Sequence, residues 1–80
     1  MPESTSQPEI RAQVERITYY NEENHYTIAK VKVDGRNSQV TVVGTLHSVV
    51  PGEVLRLKGG WEVHPRWGEQ FKITSYETLM

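Results

Sequence analysis

The chain has 80 residues, with 9 Lys or Arg, 10 Asp or Glu and no cysteine, which is enough for one small domain with a single core. The lack of cysteine excludes disulfides, thiolate metal sites and a cysteine nucleophile. The formal net charge of −1, with a moderate content of large apolar residues, excludes the composition of a disordered chain.

Residues 1–8, rich in Ser, Thr, Glu, Gln and Pro, are predicted to form a disordered tail before a domain spanning 9–80. This start has no basic region followed by an apolar stretch, as a signal peptide would. The chain also has no apolar run near the ~20 residues that a membrane span needs. We therefore expect a cytoplasmic protein.

The composition of the domain predicts an all-β protein. Ten Val, four Ile and seven Thr stand against two Ala, and branching at Cβ suits a pleated sheet better than a helix. Five strand-like runs occur in chain order, at 10–20, 26–33, 39–46, 54–63 and 70–79. Turn residues separate them at the spacing of a barrel or sandwich.

The first run changes phase, with Ile10, Ala12 and Val14 followed by Ile17 and Tyr19. Such a change predicts a bulge that lets one strand serve both halves of a closed barrel. Tight turns are predicted at 34–35 and 51–52, and a bend at 59–60, from Asp-Gly, Pro-Gly and Gly-Gly pairs. The pattern favours a five-stranded Greek-key barrel of the OB-fold type, with an SH3-like barrel as the alternative.

Catalytic chemistry is absent from the sequence pattern. His25, His47 and His64 are too far apart for a sequence-local metal site. The chain has neither a phosphate-binding glycine loop ending in Lys-Ser/Thr nor a nucleophile elbow. We therefore expect no catalysis, no metal and no cofactor in this chain.

The second strand carries the pattern that best indicates a ligand. If its odd-numbered residues face the core, Tyr26, Ile28, Lys30 and Lys32 share the outer face. An aromatic ring with ammonium groups suits single-stranded DNA, because bases stack on rings and cations follow phosphates. The predicted nucleic-acid-binding residues are Tyr26, Lys30, Lys32, Arg36, Arg56 and Lys58. The alternative is a plain solvated face, since lysines also protect sheets against aggregation.

The segment 61–71, WEVHPRWGEQF, concentrates two tryptophans. Trp61 and Val63 share a phase with Leu55 and Leu57, which predicts that they pack inward. Trp67 falls in a loop, where it either caps the barrel or anchors a partner protein. In the second case the predicted docking residues are Val49, Val50 and Trp67.

Three stretches together resemble the N-terminal domain of RecD-like (RecD/TraA family) ATP-dependent DNA helicases, and the resemblance covers about 12–77. The first matching motif is an aromatic-Thr-aliphatic triplet after a turn, and a V-x-G segment and a P-G-acid turn follow. The last is a W-x-x-H-x-x-aromatic-G-x-Q-aromatic pattern. The matching residues are Tyr26, Thr27, Ile28, Val42, Val43, Gly44, Pro51, Gly52, Glu53, Trp61, His64, Trp67, Gly68, Gln70 and Phe71. One departure is His25, where the family often has Gly.

The resemblance implies that the chain is the N-terminal part of a larger 5′–3′ helicase, similar to the alpha subunit of exodeoxyribonuclease V. Two RecA-like motor domains of such a protein would bind ATP and Mg²⁺, and none of their motifs falls within these residues. The partners it implies are single-stranded DNA and the remaining domains of the helicase.

Overall fold

Five β-strands make up the fold in the computed structural model, which describes residues 8–35, 38–66 and 68–79. The strands are β1 (Glu9–Tyr20), β2 (Tyr26–Val33), β3 (Gln39–Thr45), β4 (Val54–His64) and β5 (Gly68–Thr78). The all-β prediction is confirmed, and β2 has the predicted ends. None of the described residues belongs to a helix that could span a membrane.

The strands close into a barrel in the order β1-β2-β3-β5-β4. β1 pairs antiparallel with both β2 and β4, and β5 pairs antiparallel with β4. β3 pairs antiparallel with β2 and parallel with β5. This arrangement confirms the prediction of a five-stranded barrel of the OB-fold type.

β1 bends through two irregularities that let it reach both neighbours. Its pairing register with β2 shifts between Val14 and Arg16 and again between Ile17 and Tyr19. The predicted change of phase is therefore confirmed, but the second shift was not predicted. It places Tyr19 opposite Ile28, so Tyr19 is 48% exposed rather than directed inward.

The core lies inside the barrel and is built by alternate residues of every strand. Leu57 and Phe71 are fully buried, and the Trp61 ring meets Phe71 edge-on at 5.0 Å between ring centroids. The prediction for Trp61 is thus confirmed. Val63 was predicted to face inward and is instead 79% exposed, because β4 pairs with β1 only as far as Lys58 in the described register.

The turns follow the predicted residues. Gly35 and Gly52 have φ of 85° and 98°, values that glycine adopts without steric cost. The Gly52 amide donates to the Val14 carbonyl at 2.8 Å, which fastens the loop after β3 to β1 at its bulge. The predicted tail lies outside the described residues apart from Pro8, whose carbonyl accepts a hydrogen bond from the Gly59 amide at 3.1 Å.

Candidate nucleic-acid interface

The outer face of β2 begins the site. Ala29, Val31 and Val33 are buried, so alternation directs the other side chains of the strand outward. Tyr26 is 39% exposed, Lys32 is exposed and Lys30 is half-buried. Three of the predicted site residues therefore share one face of the barrel.

The bulges of β1 add two residues to this face that sequence reasoning missed. The first shift places Arg16 directly opposite Lys30 across the β1–β2 pair. The second brings the Tyr19 ring next to that of Tyr26, edge-on, with 6.4 Å between ring centroids. The lack of alternation at 14–19 was the signal for a bulge, but it does not tell which side chains the bulge turns outward. We call Arg16, Tyr19, Tyr26, Lys30 and Lys32 the basic aromatic face.

A cleft of about 290 Å³ lies on this face, lined by Thr18, Tyr19, Ile28, Lys30 and Thr41. The Lys30 ammonium donates to Thr41 Oγ1 at 2.6 Å, which fixes the long side chain over the cleft. An ammonium group has three protons to donate. The bond to Thr41 uses one of them, so the cation can still donate to an anionic ligand in the cleft.

Lys32 stands between two neutral side chains. Its partners across the neighbouring strands are Gln13 on β1 and Gln39 on β3. The Gln39 amide on β3 donates to the Glu15 carboxylate on β1, which brings one acidic group across β2 on this face. The face therefore carries more positive than negative side chains.

Arg56 and Lys58 lie elsewhere. They are on β4, which β1 separates from β2 and β5 separates from β3. Arg56 forms ion pairs with Glu9 at 3.1 Å and Glu77 at 2.8 Å. The structure thus does not bring the two β4 cations together with the basic aromatic face.

Four residues of the predicted DNA-binding and docking sites remain, and the structure describes two of them. Arg36 and Trp67 lie outside the described residues. Val49 is half-buried against the core, and Val50 is 54% exposed. Among the described residues, no group of three or more His, Asp or Glu side chains could hold a metal ion.

The turn before β2 holds Tyr26 in place. The Asn24 side-chain oxygen accepts a hydrogen bond from the Tyr26 amide at 2.9 Å, and the His25 amide donates to the Asn21 carbonyl at 2.7 Å. His25 itself has φ of 61°, in the left-handed region that favours glycine. Glycine, the residue that the resemblance implies at this position, would adopt this conformation at lower steric cost.

The barrel order and the surface of β2 define an OB-fold domain, a class in which this sheet face often binds oligonucleotides. Residues 7–80 match the family model described as the OB-fold domain of ATP-dependent DNA helicase YrrC. The chain belongs to that family. No curated protein and no solved structure gave a match.

Proposed function

We propose that this chain is the accessory N-terminal domain of a RecD-like 5′–3′ DNA helicase, similar to the alpha subunit of exodeoxyribonuclease V. In this proposal the domain contacts single-stranded DNA and guides it toward the motor. The domain is not catalytic, and ATP and Mg²⁺ bind in the motor domains of the parent protein. Membership of a DNA helicase domain family supports the proposal.

One observation carries the proposal of DNA contact: Arg16 and Lys30 are opposite each other in the β1–β2 register, with the Lys30 ammonium directed toward Thr41 on β3. Like charges directly opposite in a sheet are destabilising, and a bound phosphate would offset their repulsion. Arg11 and Arg56 also oppose each other, across β1–β4, but those two cations are paired with acids. The Arg16–Lys30 pair instead adjoins two exposed tyrosines on which bases can stack.

The test is a titration of the 80-residue chain with a labelled single-stranded oligonucleotide across a salt series. We expect micromolar or weaker binding that weakens as salt rises, because neutralised phosphates release counterions. The double variant Lys30→Ala/Lys32→Ala should bind more weakly. The slope of the logarithm of the binding constant against the logarithm of the salt concentration should become less steep by about 1.4, at about 0.7 per lost phosphate contact.

The matched control replaces two cations on the other side of the barrel, Arg56→Ala and Lys58→Ala. It removes the same charge, so equal loss of affinity in both double variants would indicate non-specific attraction rather than a site. Absence of binding at low salt would refute DNA contact. Unchanged binding in the Lys30/Lys32 variant would refute contact through the basic aromatic face.

The second candidate function is docking to the helicase body or a partner protein without DNA. The exposure of Val50, at 54%, favours it. Val49 packs against the core, however, which leaves little apolar surface in this loop among the described residues. DNA contact is therefore the better supported proposal, and a folded domain that binds no oligonucleotide would favour docking.

A further inference from the structure

A second concavity opens at the end of the barrel beside the turn that follows β1. It has a volume of about 360 Å³ and is lined by Ile17, Tyr20, Thr27, Leu46, Ser48 and Val49. We call these six residues the end pocket. In the described chain, an irregular segment of 46–53 rather than a helix connects β3 to β4, and it forms one wall of this opening.

The Tyr20 ring lines the end pocket, and the rings of His25 and His47 lie beside it. The Tyr20 hydroxyl lies 2.7 Å from His25 Nδ1, and the His25 and His47 rings are 4.3 Å apart between centroids. The His25 carbonyl accepts hydrogen bonds from the Leu46 amide and from the Thr27 hydroxyl, both at 3.1 Å. The turn and the loop after β3 are thereby joined into one rim.

The lining has the chemistry of a site for a flat heteroaromatic ring. Ile17, Leu46 and Val49 supply apolar walls. Tyr20 and Ser48 supply hydroxyl groups that can meet polar ring edges, whereas the Thr27 hydroxyl is buried and donates to the His25 carbonyl. Small-molecule sites typically combine an apolar lining with a few placed polar groups, and a nucleobase combines a stacking face with a polar edge.

The end pocket adjoins the basic aromatic face through residues that are adjacent in the chain. Tyr19 and Tyr26 on that face are the chain neighbours of Tyr20, which lines the pocket, and of His25, which lies beside it. The Asn21 side-chain amide also donates to the Tyr19 hydroxyl at 3.4 Å. Aromatic residues on the basic aromatic face are therefore adjacent in the chain to aromatic residues beside the pocket.

From this arrangement, we propose that the end pocket accepts one unpaired nucleobase of a DNA strand whose phosphates lie on the basic aromatic face. The inference rests on the proposed DNA contact. It adds a second contact site for the strand, the end pocket, to the basic aromatic face. A strand bound in this way turns at the Tyr26–His25 rim, which requires the unpaired flexibility of a single strand.

The test combines a protein variant in which the end pocket is filled with oligonucleotides that lack one base. The probe is an oligodeoxythymidine of about ten nucleotides, within the site size of OB-folds, and a series of oligomers carries one abasic residue at each position. Val49→Phe fills the pocket, and Val50→Phe, one residue further along the chain and 54% exposed, is the matched control. Thermal unfolding by circular dichroism establishes that both variants are folded.

We expect Val49→Phe to bind the intact oligomer about tenfold more weakly, as for the loss of one base contact. One abasic position should weaken binding to the unmodified chain and to Val50→Phe but have no further effect on Val49→Phe. If Val49→Phe does not fold, the amide resonances of Leu46 and Val49 in the unmodified chain decide the question. The intact oligomer should shift them, and the oligomer lacking the critical base should not.

The two proposals fail in different ways. If the oligomer binds and Lys30→Ala/Lys32→Ala weakens it, but no abasic position is coupled to Val49 and the pocket amides do not shift, the pocket proposal is wrong and DNA contact stands. If the oligomer does not bind at low salt, both proposals are wrong.

Discussion

Gly59 lies directly against the backbone of Lys72, where β4 and β5 pair beside a register shift. A Cβ added to Gly59 would stand 1.8 Å from the Lys72 carbonyl oxygen, and no rotamer change can move a backbone oxygen aside. The shift between Lys58 and Gly59 thus depends on the absence of a side chain.

Gly59→Ala should therefore destabilise the domain by more than about 3 kcal/mol, at the upper end of overpacking effects. Gly60→Ala is the control, since a Cβ there meets nothing within 4 Å. Thermal and urea unfolding monitored by circular dichroism measure both. Similar stability for the two variants would contradict the close approach.

Arg16→Glu should separate stability from binding. The new carboxylate would face Lys30 and replace repulsion by attraction, which is worth roughly 0.2–1 kcal/mol in a cross-strand pair. The variant should therefore unfold at higher denaturant and bind single-stranded DNA more weakly. Arg11→Glu, on the β1–β4 side, changes charge equally and should leave DNA affinity unaltered at the same salt. If the Arg16→Glu variant binds DNA as tightly as the unmodified chain, Arg16 is not part of the binding site.

Tyr26→Ala and Tyr19→Ala should each weaken DNA binding by about 1–3 kcal/mol if bases stack on these rings. Tyr26→Phe retains the ring and should keep most of the affinity, because stacking does not use the hydroxyl group. Fluorescence anisotropy with a labelled oligonucleotide gives the three affinities. A Phe variant as weak as the Ala variant would mean that the ring face is not what the DNA contacts.

The left-handed backbone conformation of His25 can be tested by comparing the stabilities of two variants. His25→Gly and His25→Ala lose the same ring contacts, but only Gly has a low-cost positive φ. We expect the Gly variant to be about 1 kcal/mol more stable than the Ala variant in urea unfolding. At residue 60, where no positive φ is found, the order should be reversed. Equal stabilities at residue 25 would count against the left-handed turn.

The sequence predicted β2 and its outward residues because strict alternation with period two fixes which face is buried. It did not predict that Arg16 and Tyr19 face outward, since a bulge changes the phase by an amount that depends on the partner strand. The predicted site includes Arg56 and Lys58 because nothing in the local sequence indicates that β1 lies between β4 and β2. The alternation of β4 predicted that Val63 faces inward like Leu55 and Leu57. Val63 is exposed because it lies beyond the part of β4 that pairs with β1.

The parallel pairing of β3 with β5 has a consequence for how the barrel assembles. Within the described residues, it consists of three residue pairs, from Thr41–Gln70 to Val43–Lys72. Together with the β1–β4 pairing, it joins the β1–β2–β3 meander to the β4–β5 hairpin. Those two units are built from neighbours in the chain, whereas this seam must close a long loop before any of its bonds form. Assembly should therefore be slow for so short a chain, as for other small barrels dominated by distant contacts. Since β3 lies between β2 and β5, a ligand on β2 stabilises this seam only if it extends across β3 onto β5.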